Sequence, residues 1–310
     1  MKEESDFKKI TIIGVGLIGG SLGLALKENR PNFRIIGVDK QEVIKKAIAR
    51  GAIDEGTVNL KKGTKETDVV IIATPVKTIL NLLPQINPFL KKGCLVTDTG
   101  STKGQIVERA NEVLSKDIFF IGGHPMAGSE KCGIDSADPH LFQDKTYILT
   151  PTKKSNLVSL EKIFLLIKMI GAKRLILDPL EHDRIVGAVS HLPQIMAVSL
   201  MNMIDRLAQQ ENNNNYFKAI GEGFKDMTRI ALSPCKIWED ICDTNEKTIL
   251  EMIQKYKQYL NLIEDKLIND PEGLKEEFQK AQMLRKKCFG NLFARRIRIY
   301  TGAKKQGRRN

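Results

Sequence analysis

A β-branched run, Lys9-Ile10-Thr11-Ile12-Ile13, passes directly into the glycine turn Gly14-Val15-Gly16-Leu17-Ile18-Gly19. Nothing else in the chain restricts its fold as tightly. The run has the make-up of a strand buried on both faces of a parallel sheet. The residues after the turn, Ser21-Leu22-Gly23-Leu24-Ala25-Leu26, read as helix. A strand, glycine turn and helix at this spacing form a dinucleotide-binding element. Gly14 permits the tight turn, Gly16 lets a pyrophosphate approach the backbone, and Gly19 lets the helix pack close to the strand. The free N–H groups around Leu17 and Ile18, together with the helix dipole, favour phosphate at that end. Asp39 stands 20 residues beyond Gly19, at the end of a second strand, Arg34–Val38. A carboxylate there accepts hydrogen bonds from ribose hydroxyls and repels a 2′-phosphate, which selects NAD over NADP. Lys40 beside it tempers that selection.

The alternation continues along the chain. A third strand, Val69–Ala73, is stopped by Thr74-Pro75, which fall on the cofactor edge. Further strands are expected at Cys94–Asp98, Phe119–Gly122, Thr146–Thr150 and Arg174–Leu177, with helices over 41–50, 76–83, 103–114 and 155–170. This repetition predicts an α/β fold, an N-terminal Rossmann-type doubly wound and mostly parallel sheet over residues 1–178. From Glu181 onward the spacing is helical: 182–209 with Pro193 as a kink or break, then 237–266 and 271–287, with Asn212–Asn215 as a loop. An all-α domain over 179–290 is expected to carry substrate contacts and a dimer interface, which makes the chain a homodimer. Residues 291–310 read as a basic tail.

The formal net charge of +12 calls for a nucleic-acid partner to be considered. Residues 281–310 hold ten Lys and Arg and no acid, and the rest of the chain balances 39 basic against 37 acidic residues. The charge therefore belongs to a solvated extension rather than to the body, which argues against nucleic acid as the partner. No run of consecutive apolar residues approaches the roughly 18 that a membrane span needs, and the acidic start, Met1-Lys2-Glu3-Glu4, does not resemble a signal peptide. The five cysteines are odd in number and lack C-x-x-C spacing, which predicts reduced thiols in a cytoplasmic protein and no metal site.

Chemistry-bearing segments cluster at the carboxyl ends of the strands and in the helical region. They are Asp98-Thr99-Gly100-Ser101-Thr102-Lys103, Gly122-Gly123-His124-Pro125-Met126-Ala127-Gly128-Ser129-Glu130, Val189-Ser190-His191-Leu192-Pro193, and Gly223-Phe224-Lys225-Asp226-Met227-Thr228-Arg229-Ile230-Ala231. In this order, behind the glycine turn, they resemble the prephenate/arogenate dehydrogenase family over residues 8 to 265. The resemblance implies a Rossmann domain followed by a helical dimerisation domain.

It also implies a reaction: NAD-dependent oxidative decarboxylation of prephenate to 4-hydroxyphenylpyruvate, with arogenate as the alternative substrate. By this resemblance His124 is the base that takes the hydroxyl proton, a task suited to an imidazole near working pH. Ser101 hydrogen-bonds the same hydroxyl or holds the imidazole; the plain alternative is a helix cap. Arg229 grips a substrate carboxylate, for which a planar fork is best, and Asp226 orients it. Ser129 and Glu130 line the pocket, and His191 lies near the substrate. Many family members carry a second histidine where this chain has Gln194, and a glutamine both donates and accepts, so both substrates stay open. His140 and His182 read as structural or exposed, and Trp238 as core. The rival readings are another Rossmann dehydrogenase, which would use a lysine of its second domain, and a non-catalytic NAD-binding sensor. About 45 residues follow the matched region, too few for an appended regulatory domain.

Overall fold

The structure, a computed structural model, describes residues 7–30, 32–128, 131–152 and 155–302, with side chains as far as Phe289. The chain forms two compact units, residues 1–250 and 251–310.

The first unit is built on one eight-stranded sheet. Its strands are β1 (Lys9–Ile13), β2 (Arg34–Val38), β3 (Glu55–Thr57), β4 (Val69–Ile72), β5 (Leu95–Asp98), β6 (Phe119–Pro125), β7 (Thr146–Pro151) and β8 (Lys173–Ile176). They lie in the order β3-β2-β1-β4-β5-β6-β7-β8. All neighbours are parallel except β6 and β7, which run antiparallel with His124 opposite Ile148. The chain leaves β1 for β2 on one side and returns to β4 on the other. That switch point opens a crevice at the strands' carboxyl ends.

Strand alternation sorts the apolar side chains into two layers. Ile10 and Ile12 of β1 join Leu26, Phe142 and Ile163 on one face, beside α1 (Leu17–Asn29) and α6 (Leu157–Met169). Ile13 joins Ile72, Ile79, Leu83 and Val96 on the other, beside α4 (Val76–Ile86) and α5 (Gly104–Val113). Each fully buried aliphatic chain contributes about 1.5–3 kcal/mol. The remaining helices of the sheet region are α2 (Gln41–Ala49) and α3 (Leu60–Thr64).

Three local departures from the sequence reading have physical reasons. β3 and α3 escape it because Glu-Gly-Thr has no apolar pattern; β3 exists through its pairing with Ile36–Val38. α4 runs past Leu83 to Ile86 with Pro84 inside it, held by the buried Leu83 and Ile86 on its inner face. β6 does not stop at Gly122 but continues to Pro125, because β7 pairs with it along Gly122-Gly123-His124. His124 therefore sits on a strand and not in a loop.

Beyond the sheet come α7 (Pro179–Val186), a π-helical turn (Gly187–His191) and α8 (Leu192–Gln210), one continuous helical stretch. Pro193 does not break it; it lies in the first turn of α8, directly after the wider turn. By length and composition alone this stretch is long and apolar enough to cross a membrane, although it holds no long run of consecutive apolar residues. His182, Asp183, His191 and Gln194 nevertheless lie buried within it. Then follow α9 (Asn215–Lys218), α10 (Glu222–Thr228), a 3-10 turn (Arg229–Leu232) and α11 (Cys235–Thr244). The single helix expected over 237–266 is divided at Asn245 into α11 and α12 (Glu246–Asn269).

In the second unit, the end of α12 meets α13 (Pro271–Gly302) at Asp270, whose Oδ1 accepts from Gly273 N at 3.0 Å. Lys266 Nζ donates to Glu277 at 2.9 Å across the turn. α13 runs past the expected end at 287, so the region read as a tail is partly helical backbone. Residues 303–310 lie outside the described residues.

Candidate active site

At the cofactor turn each motif glycine has its own spatial reason. Gly14 has φ +87°, and a Cβ on it would come within 2.6 Å of the Ala73 carbonyl oxygen. A Cβ on Gly19 would stand 2.0 Å from the Gly14 carbonyl oxygen. A Cβ on Gly16 would meet nothing within 4 Å, so that side is open for a pyrophosphate. Gly16 caps α1 without a side-chain bond, which leaves the helix N–H groups of Leu17 and Ile18 facing the same opening. Asp39 is half-buried; its Oδ2 accepts from Val15 N and its Oδ1 from Lys40 N, both at 2.7 Å. The carboxylate thus ties the glycine turn to the end of β2. Thr74 lies against Gly14 with its buried Oγ1 unpartnered, and the exposed Pro75 starts α4. This cradle fits a dinucleotide.

The candidate base sits in a series of three buried residues. His124, at the end of β6, is 8% exposed; its Nδ1 lies 2.8 Å from His182 Nε2. His182, on α7, is fully buried, and its Nδ1 lies 2.8 Å from Asp183 Oδ1. The Asp183 carboxylate also accepts from Lys103 N at 2.6 Å and Gly104 N at 2.8 Å, which caps α5. A carboxylate only accepts, so His182 donates from Nδ1 and accepts at Nε2. His124 then donates from Nδ1, and its Nε2 carries the free lone pair. Burial holds the His124 pKa well below the usual histidine range, with His182, Lys103 and His191 adding repulsion. The ring is therefore neutral at neutral pH, with the Nε2 lone pair unprotonated.

His182 is the residue that sequence reasoning misplaced. It is neither exposed nor merely structural filler: it lies in hydrogen-bond contact with the candidate base. The signal available was a His-Asp dipeptide just after the Asp178-Pro179 helix start. Asp178 caps α7 through Leu180 N at 2.9 Å, which holds both side chains in register. Ser101, half-buried after β5, does not cap α5; Asp183 supplies that cap from the helical region. A second carboxylate acts alike, Asp240 of α11 accepting from Lys77 N at the start of α4 at 2.9 Å. Carboxylates at two helix N-termini, and the Thr102–Thr244 hydroxyl bond of 2.8 Å, key the helical region to the sheet.

His191, at the end of the π-helical turn, is 1% exposed and stands edge-on to Trp238 with ring centres 5.9 Å apart. Trp238 is half-buried rather than core. His191 Nδ1 lies 3.2 Å from Asn245 Nδ2, a donor, so the ring's proton is on Nε2, and that buried atom has no partner. Gln194 Oε1, one turn on, is also buried and unpartnered. Burial pulls the His191 pKa down to about 4. Asp226 and Arg229 occupy exposed positions on α10 and the following 3-10 turn. His140 is exposed. Ser129 and Glu130 lie outside the described residues.

A cavity of about 330 Å³ opens on His124, lined also by Met126, Gly128, Leu141, Lys145 and Ser190. Neither Asp226 nor Arg229 lines it. A larger cleft of about 960 Å³ lies on the far side of Asp183, among Glu108, Glu112, Asp178, Asp243 and Glu246. The smaller cavity is the one that opens on His124 and is the candidate site. Among the described residues no cluster of His, Cys, Asp and Glu could hold a metal ion.

Comparison with known proteins finds similar chains over most of the sequence. Residues 22–176 match the model of the prephenate dehydrogenase nucleotide-binding domain, and residues 178–280 that of the prephenate dehydrogenase dimerization domain. The chain is 41% identical over 281 residues to a prephenate dehydrogenase of Lactococcus lactis subsp. cremoris, covering 90% of this chain and 77% of that protein. It is 37% identical over 280 residues to a Bacillus subtilis prephenate dehydrogenase, covering 88% and 74%. The crystal structure of the A. aeolicus prephenate dehydrogenase in complex with hydroxyphenyl propionate and NAD+ superposes with a TM-score of 0.86 at 32% identity, covering 93% of this chain and all of that one.

Proposed function

The chain belongs to the prephenate dehydrogenase family, and from that premise we propose that it converts prephenate to 4-hydroxyphenylpyruvate in tyrosine biosynthesis, with arogenate as the alternative substrate. It is an NAD-dependent oxidoreductase. The observation that carries the reading is the buried series His124–His182–Asp183 at the carboxyl end of β6, on the same edge of the sheet as the glycine turn.

The residues divide the work by chemistry. Gly14, Gly16, Leu17, Ile18 and Gly19 hold the pyrophosphate, Asp39 the ribose hydroxyls, and Thr74 and Pro75 the neighbouring wall. When bound, NAD supplies the hydride acceptor. His124 Nε2 takes the proton of the ring hydroxyl as the carbonyl develops; carbon dioxide then leaves and the ring becomes aromatic. The imidazolium so formed keeps donating to His182, whose own bond to Asp183 places a carboxylate behind the new charge. Ser101, at the end of the neighbouring strand, hydrogen-bonds the hydroxyl. The substrate is a dianion, and Lys145 is the cationic side chain among the described residues lining the His124 cavity. Arg229, oriented by Asp226, serves a carboxylate; Ser129, Glu130, His191 and Gln194 serve the three-carbon side chain. The unpartnered Gln194 Oε1 favours arogenate as a second substrate, because its ammonium donates where a keto group cannot.

The working form in this reading is a cytoplasmic homodimer built through the helical domain. The test follows NADH formation with prephenate and with arogenate, beside a His124→Asn control. Turnover with either, lowered about 10²–10⁴-fold in the control, is the expected result. Silence with both substrates despite NAD binding would overturn the reading.

A further inference from the structure

Beneath the two catalytic segments lies an ion pair with no access to water. Lys103 and Asp98 have fully buried side chains, and the ammonium donates to Asp98 Oδ2. The same carboxylate accepts from Gly100 N at 2.8 Å, in the turn that leads to Ser101, and from Gly123 N at 3.1 Å, the amide next to His124. The two glycines before the base let Thr150, the Lys103 stem and the Asp98 backbone pack close to the strand. A Cβ on Gly122 would lie 3.1 Å from Lys103 Cδ, and one on Gly123 would lie 2.6 Å from the Asp98 carbonyl oxygen. Burying two charges is costly and is not by itself a source of stability, so a pair at this place calls for a role.

We propose that the Lys103–Asp98 pair positions the catalytic machinery: it joins the Ser101 turn to the His124 strand and cancels its own two charges behind the base. The inference rests on His124 being the base. A proton arriving on His124 creates a charge in a poorly polarisable interior, where an unbalanced neighbour acts strongly. The other groups around the ring are His182 from α7 with Asp183 behind it, His191 from the π-helical turn and Lys145 at the cavity rim, while Tyr147 of β7 lies against Gly123. Burial lowers the Lys103 pKa and raises that of Tyr147. Asp98 balances Lys103 directly.

Lys103→Met removes the cation and leaves Asp98, still accepting from Gly100 and Gly123, as an uncompensated anion beside the base. The experiment is an NMR pH titration of the His124 ring, assigned among the four histidines by its loss in His124→Asn. Lys103→Met is expected to raise the His124 pKa by about one unit or more. The double variant Asp98→Asn/Lys103→Met, which restores the wild-type net charge, should return it to within about half a unit of wild type, and Lys103→Arg should leave it there. The acid limb of kcat/KM should move in step. A pKa in Lys103→Met equal to wild type, or one raised equally in the double variant, overturns the proposal. If Lys103→Met does not fold, Lys103→Arg against the neutral double variant tests the same balance: both near wild type supports it, and a displaced double variant overturns it. The ring titration is read without turnover, so inactivity of the wild-type enzyme would sink the proposed function and leave this result standing on its own.

Discussion

His182 sets which nitrogen of His124, the proposed base, carries the free lone pair. Its Nε2 accepts from His124 Nδ1 only while Asp183 holds the proton on its Nδ1. His182→Leu removes the acceptor, frees the His124 ring to change tautomer and turn, and is expected to lower kcat about 10²-fold with KM little changed. His182→Gln supplies a carbonyl toward His124 and an N–H toward Asp183, and should recover part of the loss. Steady-state kinetics on both variants check this; equal loss in the two would mean that the ring is held by packing alone. His124 was legible as the candidate base from the Gly-Gly-His-Pro segment. Its orientation was not, because the partner is 58 residues away in the chain.

At the scale of elements, the turn from β1 into α1 separates two kinds of glycine. Gly19→Ala would place a methyl group 2.0 Å from the Gly14 carbonyl oxygen, a backbone atom that has nowhere to go. The expected result is a destabilisation of about 1–3 kcal/mol and loss of NAD binding with it. Gly16→Ala adds a methyl group into open space, so thermal unfolding should stay near wild type while NAD affinity falls. Calorimetry and NAD titration of the two proteins make the comparison; equal stability of both would refute the packing role of Gly19. Such local units were readable because strand, turn and helix lie within one short segment. The end of β6, by contrast, was read three residues short, because only pairing with β7 extends it through His124 to Pro125.

For the whole molecule, the continuous stretch Pro179–Gln210 has only 28% of its most apolar window buried within the chain. Val189, Val198 and Met203 are 63%, 37% and 49% exposed. Apolar side chains in such numbers on one stretch mark a surface that another chain covers, which accords with the dimerization-domain match. Light scattering on the eluting protein should give about twice the 34.8 kDa chain mass. Met203→Glu, which brings a charge to that surface, should shift the population toward monomer at equal concentration. A wild-type mass equal to one chain would refute the dimer.

Residue order alone determined what depends on near neighbours. The glycine turn, the parallel strands and the change to helix after residue 178 all follow from sterics and alternation within a few residues. Tertiary structure decided what depends on burial and distant partners. His182 is a partner of the base rather than an idle histidine because α7 lies against β6. Ser101 is free of capping because Asp183, 80 residues beyond Lys103, caps α5 in its place. Lys103, read only as part of a motif, became a buried counter-charge because the sheet closes water out around Asp98. A charged side chain acquires its meaning from its surroundings, and folding supplies those.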